Sequence, residues 1–115
     1  MRALPNTAAA NKIASSDPAA DTNAAVTIVA IADERHVIDW IACSYNKIPT
    51  GIERITVTVA AVLKFSVYLP VLTDGAGPWF FPFPQPIVGG LNQEVIVQLT
   101  AATGTTLGSV TVGYR

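Results

Sequence analysis

The chain has 115 residues, enough for one domain with one core and too few for two. Half of the residues are hydrophobic and only 13% are charged, against roughly 25% in an average soluble domain, and the formal net charge is −1. That balance excludes the basic footprint which nucleic-acid phosphates require: the seven Lys and Arg residues are scattered, and Glu34, Asp39 or Glu53 stands near each closest approach to a patch.

The N-terminal region lacks the apolar core of a signal peptide, and every apolar run is interrupted before the roughly 18 residues of a membrane-spanning helix, so neither export nor a membrane partner is expected. Residues 1–23 are rich in Ala, Asn, Ser, Asp and Thr, and Pro5 and Pro18 prevent one continuous helix. They read as an arm, extended against a neighbouring subunit or disordered when free, ahead of a β-sandwich domain over residues 24–115.

Alternation of apolar and small polar residues predicts a strand over 24–31 and a second over 35–45, with Ile38, Trp40 and Ala42 on one face and Val37, Asp39, Ile41 and Cys43 on the other. Pro49 and Gly51 break the ladder. Residues 52–63 then resume it, with Ile55, Val57 and Val59 inward and Arg54, Thr56 and Thr58 outward. Lys64 marks a predicted bend, and the run from Phe65 to Leu69 pairs back as a hairpin. Next, Trp79, Phe80, Phe81 and Phe83 are interleaved with Pro82, Pro84 and Pro86, which fits an edge segment or an ordered loop because proline donates nothing to a ladder. Residues 94–99 and 107–114 are strands joined by a loop that suits a hairpin, with Val95, Val97 and Leu99 facing Val110, Val112 and Tyr114 across the core. Six to eight short strands and no convincing helix predict an all-β fold, an antiparallel β-sandwich or jelly roll.

The chemical inventory is sparse. A single His36 at a strand start, with no Ser on a strained elbow, cannot supply a hydrolytic triad, and an exposed or capping role is expected for it. One His and one Cys do not make a zinc site, the carboxylates read as turn residues, and the paired glycines lack the Lys and helix of a phosphate cradle. The expectation is no enzyme, no metal and no cofactor. Cys43 has no second cysteine to pair with and lies in an apolar run, where it reads as a buried small hydrophobe in a protein of an intracellular compartment. One binding hypothesis has content. Trp79, Phe80, Phe81 and Phe83, with Trp40, Tyr45 and Tyr68, could form a platform for a sugar ring, although four bulky rings in five positions favour core and subunit-contact packing.

From Ile55 to Tyr114 only Lys64, Asp74 and Glu94 are charged, a surface so neutral that part of it is expected to be covered by other protein. The order RHVIDWIACSY, ITVTVAAVLKFSVYL, DGAGPWFFPFPQPIVGG, LNQEVIVQLTAATG and LGSVTVGYR, spanning residues 24–115 with the stretches between, resembles small structural proteins of tailed bacteriophages. The resemblance implies a β-sandwich or jelly-roll subunit, often trimeric, that decorates or cements the outside of a capsid, with tail or fibre roles also known in proteins of this appearance. The implied partners are further copies of the chain and the major capsid protein or another virion protein. The implied location is the capsid surface, assembled in the host cytoplasm. Trp79, Phe80, Phe81, Phe83 and Tyr68 are the expected subunit contacts, with Pro5 and Pro18 in the arm. The alternative is a carbohydrate-binding module that uses the Trp79 to Phe83 aromatics.

Overall fold

A computed structural model describes residues 12–49, 51–71, 75–102 and 106–115. Its regular elements are eight strands: β1 (Lys12–Ser16), β2 (Ala24–Ile28), β3 (Val37–Tyr45), β4 (Arg54–Val59), β5 (Val62–Tyr68), β6 (Trp79–Val88), β7 (Val95–Leu99) and β8 (Gly108–Tyr114). They form two antiparallel four-stranded sheets, ordered β1-β8-β3-β6 (sheet A) and β2-β7-β4-β5 (sheet B). Successive strands cross from one sheet to the other except at the β4–β5 hairpin, which is the interleaved double Greek key of a jelly roll.

Period-two burial builds the core. Ile55, Val57 and Val59 of β4 and Val95, Val97 and Leu99 of β7 face Ile41, Val110 and Val112 of sheet A, all buried, while the alternate residues look outward. The inward and outward sides expected for β4, and the facing of β7 against β8, are those observed. Their connection is not: β7 and β8 lie in opposite sheets and therefore form no hairpin. Both strands have one apolar face, and opposed sheets bury those two faces against each other.

Strand β3 departs from simple alternation. A bulge between Ile38 and Trp40 leaves Asp39 unmatched against β8, so Ile38 and Ile41 both point inward and Trp40 is carried to the outer side with Ala42. Opposite the same bulge, residues 83–86 of β6 have no partner in β3. Pro82, Pro84 and Pro86 therefore sit on an edge strand, where their missing N–H groups cost no ladder bond and deny a donor to any incoming strand. On the other side of the sandwich, edge strand β5 carries Lys64 at a register shift. Lys64 is thus inside a strand, and the expected bend lies instead at Ala60 and Ala61.

That two-residue turn joins Val59 to Val62, and both of its residues have positive φ, 48° and 67°. Twist-matched hairpins demand this conformation, and alanine tolerates it poorly. Replacing Ala60 with Asn and Ala61 with Gly together is expected to raise stability by about 1–2 kcal/mol, read as a higher urea midpoint at unchanged m.

The domain also begins earlier than its composition suggests. Residues 12–16, which composition places in an arm extended against a neighbour or disordered when free, are strand β1, paired residue for residue with β8 from Lys12–Tyr114 to Ser16–Val110. The loop that follows is tied down as well, because the Asp21 amide donates to Thr106 O and the Asn23 side chain accepts from the Ala101 amide. Pro5 and the rest of residues 1–11 lie outside the described residues.

Candidate functional site

The outer face of sheet A is built by register. One row across the sheet reads Ile13, Gly113, Trp40 and Pro82, the next Ser15, Thr111, Ala42 and Phe80, and a third joins Ser109 to Ser44. Gly113 matters here through its missing side chain: a Cβ at that position would fall inside the Trp40 indole, so the ring lies across the β8 backbone. Phe80 stands beside it, with ring centroids 5.6 Å apart and planes tilted by 43°. Phe80 is 59% exposed and Ile13, at the far end of the first row, is 70% exposed. Beyond Ser44 and Ser109 the face runs into a hollow of about 310 Å³ lined by Asp17, Pro18, Asn46 and Leu107 among others. Among the charges bordering the rows, Asp17 is exposed at the hollow and Asp39 is paired with Arg115. Arg115 donates from Nε and Nη2 to the two Asp39 carboxylate oxygens at 3.0 and 3.1 Å.

The rings expected to act together are divided among three places. Trp79 is only 7% exposed and packs edge-on against Tyr45 inside the core, 6.3 Å between centroids. Phe81 and Phe83 are half-buried and meet Phe65 of β5 at 5.7 and 5.1 Å, closing the gap between the edge strands of the two sheets. Tyr68 is 65% exposed, but on sheet B, where the Arg54 guanidinium lies over its ring at 5.9 Å. A sugar platform over Trp79 to Phe83 is therefore absent, because alternation along β6 sends Trp79, Phe81 and Phe83 inward and only Phe80 out. Trp40 joins Phe80 through the bulge at Asp39, a feature that the alternation itself does not announce.

His36 is buried, so of the exposed or capping role expected for it the exposed one is ruled out. Its Nε2 lies 2.7 Å from Val29 O and its ring meets Tyr114 edge-on at 6.1 Å, so it pins the loop between β2 and β3. A second buried polar group, Glu53, was hidden among the turn carboxylates. Thr100 Oγ1 donates to Glu53 Oε1 at 2.7 Å, and the Tyr45 hydroxyl donates to Thr100 O at 2.6 Å while lying 3.4 Å from the same carboxylate oxygen. These contacts fasten the β3–β4 and β7–β8 loops together. Among the described residues no cluster of three or more His, Cys, Asp or Glu could hold a metal ion. No helix among them is long and apolar enough to cross a membrane.

Cys43 is buried on the inner face of β3, as its apolar surroundings suggest, and burial pushes its thiol from 9.0 up to about 12. The buried Tyr45 phenol is raised too, by burial first and by the Glu53 charge, against the opposing effect of its bond to Thr100. Both groups favour the protonated native state, so their contribution is complete below the unfolded thiol's pKa of 9.0 and is lost as pH climbs toward 12. The urea midpoint should fall between about pH 8 and about pH 10.5, and fall less in Cys43→Ala. Thiol reagents should label the chain only when it unfolds.

Fold and surface together define an eight-stranded jelly-roll β-sandwich with one open aromatic face. No family model matches the chain, and no curated protein matches it. Among solved structures it is similar to the crystal structure of the CBM36-1 domain of a multidomain xylanase from the hindgut metagenome of Trinervitermes trinervoides, at 12% identity, over 86% of this chain and 75% of that one, with a TM-score of 0.44. A likeness this distant carries no argument about what the chain binds.

Proposed function

We propose that the chain is a non-catalytic structural subunit of a tailed-bacteriophage particle, a decoration or cement protein that binds the outside of the head as a homotrimer. The observation that carries this reading is the set of large apolar side chains left in the open at one end of the sandwich. Val29, Ile31, Val62, Leu63, Val88 and Leu91 are all exposed there. The loops that bear them are interlocked: the Ala60 amide donates to Glu94 O, the Asn92 amide to Glu34 O and the Gly89 amide to His36 O. The apolar side chains share this end with exposed Asp33, Glu34, Arg35 and Glu94, and a mixed surface with an apolar cluster is suited to burial against other protein. Strand addition is blunted at edge strand β6 by proline and at β5 by Lys64, whereas the other two edges, β1 and β2, carry no proline. A subunit that binds only the assembled shell stabilises it by mass action, and three copies held together multiply shallow contacts.

Light scattering of the purified protein tests the assembly, with a trimer expected and a monomer at all concentrations overturning it. Heads prepared with and without the chain test the role: those lacking it should rupture at a lower temperature, and identical rupture profiles would remove the decoration reading. Carbohydrate binding is the second reading, favoured by one observation, the Trp40–Phe80 pair standing open beside hydroxyl-bearing side chains.

A further inference from the structure

We infer that the outer face of sheet A is a glycan site that seats the apolar face of a neutral pyranose ring on Trp40 and Phe80. This rests on the carbohydrate reading and not on the decoration reading. An aromatic ring attracts the C–H side of a sugar while the sugar's rim of hydroxyls still needs hydrogen-bond partners, so a working site needs a ring and polar side chains at one level. Sheet A provides both. The indole lies across Gly113, a position that only glycine leaves clear, and Thr111 stands one two-residue step, about 7 Å, along the same strand. Ser15 flanks Thr111 on β1, and Ser109 with Ser44 forms the following row toward the hollow at Asp17 and Asn46. The platform is preorganised by backbone register and by the Trp40–Phe80 contact, which lowers the ordering cost of binding.

The ligand class follows from charge. Ile13, Ser15, Trp40, Ala42, Ser44, Phe80, Pro82, Ser109, Thr111 and Gly113 are all uncharged. Among the described residues Arg115 is held bidentate by Asp39, Lys12 lies over the Tyr114 ring, 5.8 Å from its centroid, and the charge lining the hollow, Asp17, is negative. A sialylated or uronic sugar would find no cation offered by these rows, whereas a neutral hexose loses nothing.

The test titrates the full chain with a β-1,4-linked glucose hexamer, a galactose hexamer and sialyllactose, by calorimetry and by acrylamide quenching of tryptophan fluorescence. Trp40 is the partly buried indole and Trp79 the buried one, so a bound ring should shield Trp40 from quencher. A neutral hexamer is expected to bind, to lose about tenfold in affinity in Phe80→Ala, and to be unaffected by Tyr68→Ala on the opposite sheet. Binding that survives both Phe80→Ala and Trp40→Ala in folded protein overturns this site while leaving carbohydrate recognition standing. Preference for sialyllactose overturns the ligand class, and no binding of any probe overturns site and reading together.

Discussion

Alanine in place of Gly113 is expected to cost about 2–3 kcal/mol of folding stability, although it adds one methyl group to a strand. The reason is local and directional. Gly113 pairs with both Ile13 and Trp40, and the Trp40 indole occupies the space a Cβ would take. The methyl must expel the ring or push β8 inward, driving the strand's own fully buried Val112 into the core. The two positions should therefore be strongly coupled: in a Trp40→Ala background the same Gly113→Ala change should cost close to nothing, because the space is vacant. A double-mutant cycle by urea unfolding measures this. Equal costs in both backgrounds would show that Gly113 serves the strand conformation alone and that nothing holds the indole across it. The same variant should weaken any glycan binding at this face, since the ring it displaces is half of the platform.

Leu99→Ala should be the most damaging single truncation, lowering stability by about 3–4 kcal/mol. Leu99 has no exposed surface and is the central residue of a row in sheet B, flanked by Ala24 and Ile55. Its side chain also spans the gap between the sheets, since a Cβ on Gly108 of β8 would stand 3.2 Å from Leu99 Cδ2 and 3.4 Å from the Tyr45 ring. Removing three carbons leaves a void against backbone on the far side, and backbone in a paired strand cannot collapse into it. A cost below about 1 kcal/mol would mean that the sheets close up at this end. Ile96→Ala, one residue earlier and only half-buried on the outer face, supplies the comparison and should cost markedly less.

Most strands were legible because burial on one face leaves a period-two signature: Ile55, Val57 and Val59, then Val95, Val97 and Leu99, read directly as inward positions. Where the signature is broken, reading failed. Asp39 adds one residue to β3, so the alternation that groups Ile38 with Trp40 and Ala42 fails at Ile38, which points inward while the other two point outward. Strand β1 was illegible for another reason. Its sequence, Lys-Ile-Ala-Ser-Ser, has little to bury, and its place in sheet A comes from backbone bonding to β8. Glu53 and His36 looked like surface groups because their partners, Thr100 and Val29 O, are supplied by distant loops or by backbone that carries no side-chain signal. The candidate site was half legible: Phe80 and Trp40 were among the suspected rings, while Trp79, Phe81, Phe83 and Tyr68 went elsewhere.

The amino-acid order alone determined the all-β class, the low charge and the confinement of the proline-rich segment to an edge or a loop, since each depends on composition or on contacts between near neighbours. Only the tertiary structure decided which rings meet. Sheet membership and cross-strand register are set by pairing between segments tens of residues apart, and one bulged residue in β3 was enough to place Trp40 beside Phe80 on the open face.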